Sequence, residues 1–123
     1  MAAGIHKFLI EQGASFSQTL VLKDGSDALI DLTGLTFTGK IRRTATSGDV
    51  IATFTCEVSS PETDGEVVVS MTATETAAIP VVKNSQASKQ LTEYAYDIES
   101  VNGSDEVVRW LEGVVEVSPE VTR

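Results

Sequence analysis

A chain of 123 residues, 41% hydrophobic and 22% charged, has the size and apolar content of one domain with a real core and no room for a second. Eighteen acidic against nine basic residues give a formal charge of −9, which excludes nucleic acid and anionic membrane as expected partners, because both demand clustered Lys and Arg. The start, Met1-Ala2-Ala3-Gly4-Ile5-His6-Lys7, lacks the apolar run of a secretory signal, and no stretch approaches the roughly 18 apolar residues that span a bilayer. Folding in a cytoplasm is therefore the expectation.

Alternation dominates from the beginning. Phe8 and Ile10 share one face of a first strand, and Phe16, Leu20 and Leu22 belong to a second. Lys23-Asp24-Gly25-Ser26-Asp27 supplies turn chemistry before Ala28-Leu29-Ile30, which predicts a hairpin. After Asp31-Leu32-Thr33-Gly34, Phe37, Gly39 and Ile41 point one way while Thr38, Lys40 and Arg42 point the other, as in a sheet with one wet face. Ser47-Gly48-Asp49 turns the chain into a strand where Val50, Ala52, Phe54 and Cys56 share a face. Pro61-Glu62-Thr63-Asp64-Gly65 makes the next turn, and Val67, Val69 and Met71 form the inner face of the strand that follows.

Thr72 followed by Glu75 fits a capping box and predicts one or two helical turns, stopped by Pro80, as a packing device between two sheets. Residues 82–90 are polar and aperiodic, which predicts an exposed loop. In the last third Tyr94, Tyr96 and Ile98 alternate with Ala95, Asp97 and Glu99. The Asn102-Gly103 turn then leads into a long strand over residues 107–117, so a terminal hairpin is expected. Simple alternation on that strand puts Val107, Arg109, Leu111, Gly113, Val115 and Val117 on one face and Val108, Trp110, Glu112, Val114 and Glu116 on the other. Both faces carry apolar residues, so part of the strand is expected to be covered on both sides. The sum is an all-β fold: an antiparallel, immunoglobulin-like β-sandwich of about seven or eight strands with one short helical turn, spanning residues 1–123, with 118–123 as an extended docking tail. The Cys-Trp-Cys framework of true immunoglobulin domains is missing.

Residues with the means for chemistry do not assemble. His6 is the only histidine and has no nearby triad or zinc partners, so it reads as a surface or strand-edge residue. Asp24, Asp27 and Asp31 lack the ligand spacing and closing Glu of an EF-hand and are explained by turns. No glycine-rich run has phosphate-loop spacing. The lone Cys56 reads as a small buried hydrophobe, with an intersubunit disulfide as the other possibility. Lys40, Arg42 and Arg43 form a small basic cluster, most simply a solvated face, or one that pairs with an acidic patch on a neighbour. No catalytic, cofactor-binding or metal-binding residues are assigned, and no enzyme activity is expected.

Three stretches carry a resemblance: Ile10-Glu11-Gln12-Gly13-Ala14-Ser15-Phe16, Asp31-Leu32-Thr33-Gly34, and Leu111-Glu112-Gly113-Val114-Val115-Glu116-Val117-Ser118-Pro119-Glu120-Val121-Thr122-Arg123. Together they resemble small β-sandwich proteins of tailed bacteriophage particles, including the N-terminal domain of baseplate upper proteins and tail-fibre-associated modules. The resemblance implies a sandwich fold and a virion protein made in the host bacterial cytoplasm, at the tail, baseplate or fibre attachment. Its implied partners are other virion proteins and further copies of itself in a symmetric array, with no cofactor. Proteins of that kind often continue into a fibre, whereas this sequence stops at Arg123, so the expectation is either that the fibre-forming part belongs to another gene or that this chain is an adaptor or covering subunit. A capsid decoration (cement) protein on the head lattice is the alternative. A carbohydrate-binding module is disfavoured, because only Trp110, Tyr94 and Tyr96 stand beside four Phe as ring candidates. Contact residues are expected in the polar loop (Lys83, Asn84, Gln86, Lys89), around Trp110 with Val108 and Val114, and in the tail (Pro119, Val121, Arg123).

Overall fold

The computed structural model, which describes residues 4–81 and 91–120, has eight strands, and all but the first, whose two residues are exposed, turn one alternating face towards the core. They are β1 (Gly4–Ile5), β2 (Phe8–Glu11), β3 (Phe16–Val21), β4 (Thr36–Arg42), β5 (Val50–Val58), β6 (Glu66–Met71), β7 (Thr92–Val101) and β8 (Val107–Ser118). A 3-10 turn at Glu62–Asp64 precedes β6, and one short helix, α1 (Ala73–Ala77), follows it. The strand order is β1-β8-β7-β4-β5-β6-β3, with β2 also paired to β8. β5 belongs to both layers: Ala52, Thr53 and Phe54 face β4, whereas Thr55, Cys56, Glu57 and Val58 face β6. The two groupings, β4-β7-β8 and β3-β6-β5, are the C-F-G and B-E-D sets of an immunoglobulin-like sandwich. Pairing is antiparallel from β3 to β8, and the parallel addition of β1 and β2 to β8 makes the first sheet mixed.

The inward faces supply the core. Phe8 and Ile10, Phe37 and Ile41, Val67, Val69 and Met71, Tyr94, Tyr96 and Ile98, and Val115 and Val117 are all buried, each large side chain contributing about 2 kcal/mol by removal from water. Phe8 is the centre of an aromatic cluster, with ring centroids 5.5 Å from Phe16, 5.6 Å from Phe54 and 4.8 Å from Tyr96. Those rings come from both layers and lock them in register. On the edge strand β3, Phe16 and Leu20 are only partly covered. The predicted hairpin after it is reduced to a single bridge, Lys23 to Leu29, so residues 28–30 do not form a strand of their own.

Two local devices hold the ends of the sandwich together. Between β1 and β2 the chain leaves the sheet at His6, whose N–H donates to the Glu112 carbonyl (3.0 Å) and whose carbonyl accepts the Tyr96 hydroxyl (2.6 Å). This close approach requires a glycine opposite: Gly113 has φ +154°, and a Cβ there would lie 2.3 Å from the His6 oxygen. The second device is Gln12. Its N–H donates to the Ser118 carbonyl (2.9 Å), its side-chain amide donates to the Ile79 carbonyl (3.0 Å), and its side-chain oxygen accepts from the Glu120 N–H (2.9 Å).

The predicted capping box is present. Thr72 Oγ1 accepts from Glu75 N–H (3.1 Å) and Glu75 Oε1 accepts from Thr72 N–H (2.8 Å). That cap starts a helix whose buried Thr76 accepts from Gly13 N–H (3.0 Å) and donates to the Ala14 carbonyl (2.9 Å), anchoring the crossover from β6 to β7. The predicted loop over residues 82–90 lies outside the described residues.

Candidate interaction surface

Among the described residues, the outward face of β4, β7, β8 and β1 gathers charged side chains from three strands. Register builds it row by row. Lys40 stands opposite Asp97, Asp97 opposite Glu112, and Glu112 opposite Ile5. On one side the next row is Arg42, Ala95 and Val114; on the other it is Thr38, Glu99 and Arg109, followed by Thr36, Val101 and Val107.

Asp97 and Glu112 form a like-charge pair directly across the ladder, an arrangement that destabilises a sheet on its own. Arg109 compensates it: its guanidinium lies 3.4 Å from Asp97, 3.8 Å from Glu99 and 3.5 Å from Glu112. The placement depends on a bulge. The pairing of β7 with β8 shifts between Ile98 and Glu99, whose partners are Leu111 and Arg109, so Trp110 has no partner opposite it. The extra residue changes the phase of β8. Arg109 and Glu112, three residues apart, share the outer face, whereas Trp110 and Leu111 both pack against the core.

Above these rows the face is concave. One hollow of about 450 Å³ is lined by Ile5, Arg42, Ala45, Ala95, Glu112 and Val114, among others, and a second of about 400 Å³ by Thr36, Thr38, Glu99, Val101 and Val107; Lys40, Arg42 and Asp97 border both. Arg109 is saturated by carboxylates, but Lys40 and Arg42 make no ion pair among the described residues. Arg42 instead donates from Nη1 to the Gly48 carbonyl (2.9 Å) and the Ser47 carbonyl (3.3 Å), which fixes its side chain over the β4–β5 turn. At the rim Ile5 is 86% exposed and Val107 61% exposed.

The contact residues expected from sequence fall in different places. Val114 belongs to the concave outer face. Trp110 does not share that face: its indole N–H donates to Ser100 Oγ (2.8 Å) and its ring packs on the core, and Val108 stands opposite the buried Ser100. The bulge is the reason, since simple alternation would have kept all three together. Pro119 precedes Glu120, whose N–H is tied to the chain's own Gln12, so the tail up to residue 120 follows its own domain. Lys83, Asn84, Gln86, Lys89, Val121 and Arg123 lie outside the described residues. The Asp97, Glu99, Arg109 and Glu112 cluster was not expected, because its members reach one another only through strand pairing and the bulge.

Other polar groups that sequence reasoning weighed are committed to the fold. Asp24 Oδ1 accepts from the N–H groups of Ser26 (2.8 Å) and Ala28 (3.1 Å), closing its turn. Asp31 accepts from both the hydroxyl (2.6 Å) and the N–H (3.0 Å) of Thr33, and these bonds hold its carboxyl below the usual range. His6 Nε2 meets the Gln18 side-chain amide at 3.1 Å, and its ring packs edge-on against Phe8. Burial pushes the Cys56 thiol up to about 11 and raises the hydroxyls of Tyr94 and Tyr96, which donate to the carbonyls of Pro80 and His6. Arg43 acts in the opposite, smaller sense on Tyr94. Among the described residues no group of three or more His, Cys, Asp or Glu is arranged to hold a metal ion, and no helix is long and apolar enough to cross a membrane.

No family model matches the chain, and no curated protein matches it. Among solved structures it is similar to murine CRIg, with a TM-score of 0.38 and 8% identity over 93% of this chain and 92% of that one. Likeness at that level carries no argument, and the assignment to an immunoglobulin-like sandwich stands on the strand order alone.

Proposed function

We propose that this chain is a non-enzymatic structural subunit of a tailed bacteriophage particle, working through protein–protein contacts at the tail baseplate or the point of fibre attachment. The observation that carries the contact role is the outward face of β4, β7, β8 and β1, concave, charged on three strands and rimmed by the exposed Ile5 and Val107. A rigid sheet with such a face can present fixed charges to a partner at no cost in loop ordering. The particle context is supported by the resemblance of residues 10–16, 31–34 and 111–123 to baseplate upper proteins and tail-fibre modules. Within the fold, the first and last of these stretches meet at Gln12, Ser118 and Glu120, so they act as one structural unit.

The test is gold-labelled antibody against this protein on purified intact particles, viewed by electron microscopy. Label at the tail end is expected. Label spread over the head would replace this reading with a decoration protein on the capsid lattice, and particles without label would remove the virion role altogether.

A further inference from the structure

We propose that the outer face of β4 and β7 is the seat of a second copy of this chain, docked face to face about a two-fold axis that runs along the strands between them. The proposal rests on the reading of the chain as a multi-copy structural subunit and names the partner of the face described above. Charge selects the occupant. Two bodies of net charge −9 repel wherever their surfaces are uniformly acidic, but this face carries Lys40, Arg42 and Arg109 against Asp97, Glu99 and Glu112, and is locally neutral. A purely acidic partner segment would find Lys40 and Arg42 but also the three carboxylates beside them. The surface that complements alternating charge is another alternating surface.

Register supplies the geometry. Lys40 and Asp97 are cross-strand partners, as are Thr38 with Glu99 and Arg42 with Ala95. A two-fold axis along the strands exchanges β4 with the second copy's β7 at the same height. Each Lys40 then lies over the Asp97 of the other copy, each Thr38 over a Glu99, and each Arg42 over an Ala95. Lys40, which makes no ion pair among the described residues, gains a carboxylate, and the symmetry makes that contact twice.

The experiment is sedimentation equilibrium on the purified full chain, its K40E and D97K variants, and an equal mixture of the two. The wild-type chain is expected to dimerise, and each variant alone, which faces like charge with like charge twice, to lose at least about tenfold in dimer affinity. Mixing the variants restores opposite charges at both contacts and should recover a heterodimer. Circular dichroism melting of each variant establishes that it is folded, and the neutral K40M and D97N replacements, expected to weaken the dimer less, replace any variant that is not. A wild-type monomer at about 100 μM, well above the Kd of a micromolar pair, would overturn the proposal. So would a dimer untouched by both substitutions, or a mixture that fails to pair. Antibody labelling of particles is independent of all these outcomes, so the virion role and the two-fold contact can fail separately.

Discussion

Arg109 shows how much one side chain can settle. Three carboxylates, Asp97, Glu99 and Glu112, converge on its guanidinium, and removing it leaves the like-charge pair across β7 and β8 with no cation between. All four side chains are more than a third exposed, so solvent screens the loss. R109L is expected to destabilise the domain by about 1 kcal/mol, with added salt recovering part of the difference, as measured by chemical denaturation at two ionic strengths. A different residue-level outcome follows for Cys56. Burial raises its pKa to about 11, so the thiolate that reacts with alkylating agents is scarce near pH 8. Slow, partial labelling by iodoacetamide in the native protein and fast labelling in denaturant are expected. Because the folded pKa lies above the unfolded one, the stabilising contribution is complete below the unfolded pKa and is lost as pH rises through about 11. Melting of wild type against C56A over alkaline pH checks the sign: the gap should change in favour of C56A as pH climbs.

At the level of elements, what sequence reveals depends on whether the information is local. Tyr94, Tyr96 and Ile98 announce their inner face because Ala95 and Asp97 separate them, Phe8 and Ile10 and Val67, Val69 and Met71 still read as period-2 runs within short strands bounded by turn residues, and the Thr72 and Glu75 box spans only four residues. On β8 that signal fails. Valines or leucine stand on both sides of the strand, so nothing local marks the extra residue at Trp110 that turns Arg109 and Glu112 to one face. The candidate site was illegible for the same reason, since a cluster assembled from two strands and a bulge has no spacing in the chain. The parallel pairing of β1 and β2 with β8 was equally hidden, because it joins residues 4–11 to residues 111–118 and only register reveals it. Gly113 tests this element. G113V introduces a Cβ against the His6 carbonyl at a backbone angle suited to glycine, and should cost about 2 kcal/mol or more. Limited proteolysis is expected to cut such a variant first near residues 4–11, and unchanged protection there would show that β1 and β2 do not depend on the close approach.

For the whole molecule, the charge of −9 sets a background of self-repulsion that packing must overcome. At protein concentrations low enough to keep the chain monomeric, the melting temperature should rise from dilute buffer to about 0.5 M salt, where screening acts over a few ångströms. The margin in dimer affinity of the wild-type chain over K40M should shrink with the same salt, because screening weakens the Lys40 and Asp97 attraction itself. A melting temperature that falls with salt at low protein concentration would mean that favourable ion pairs outweigh net repulsion.

The parallel clasp has a mechanical meaning as well. Because β1 and β2 run in the same direction as β8, the start of β1 and the end of β8 lie at opposite ends of one strand pair. Tension applied through those two points runs along the strands and loads the hydrogen bonds of residues 4–5 and 8–11 side by side, so they must give way together rather than open one by one like a zipper. A domain wired in this way resists being pulled apart by its ends far better than its short edge strands suggest.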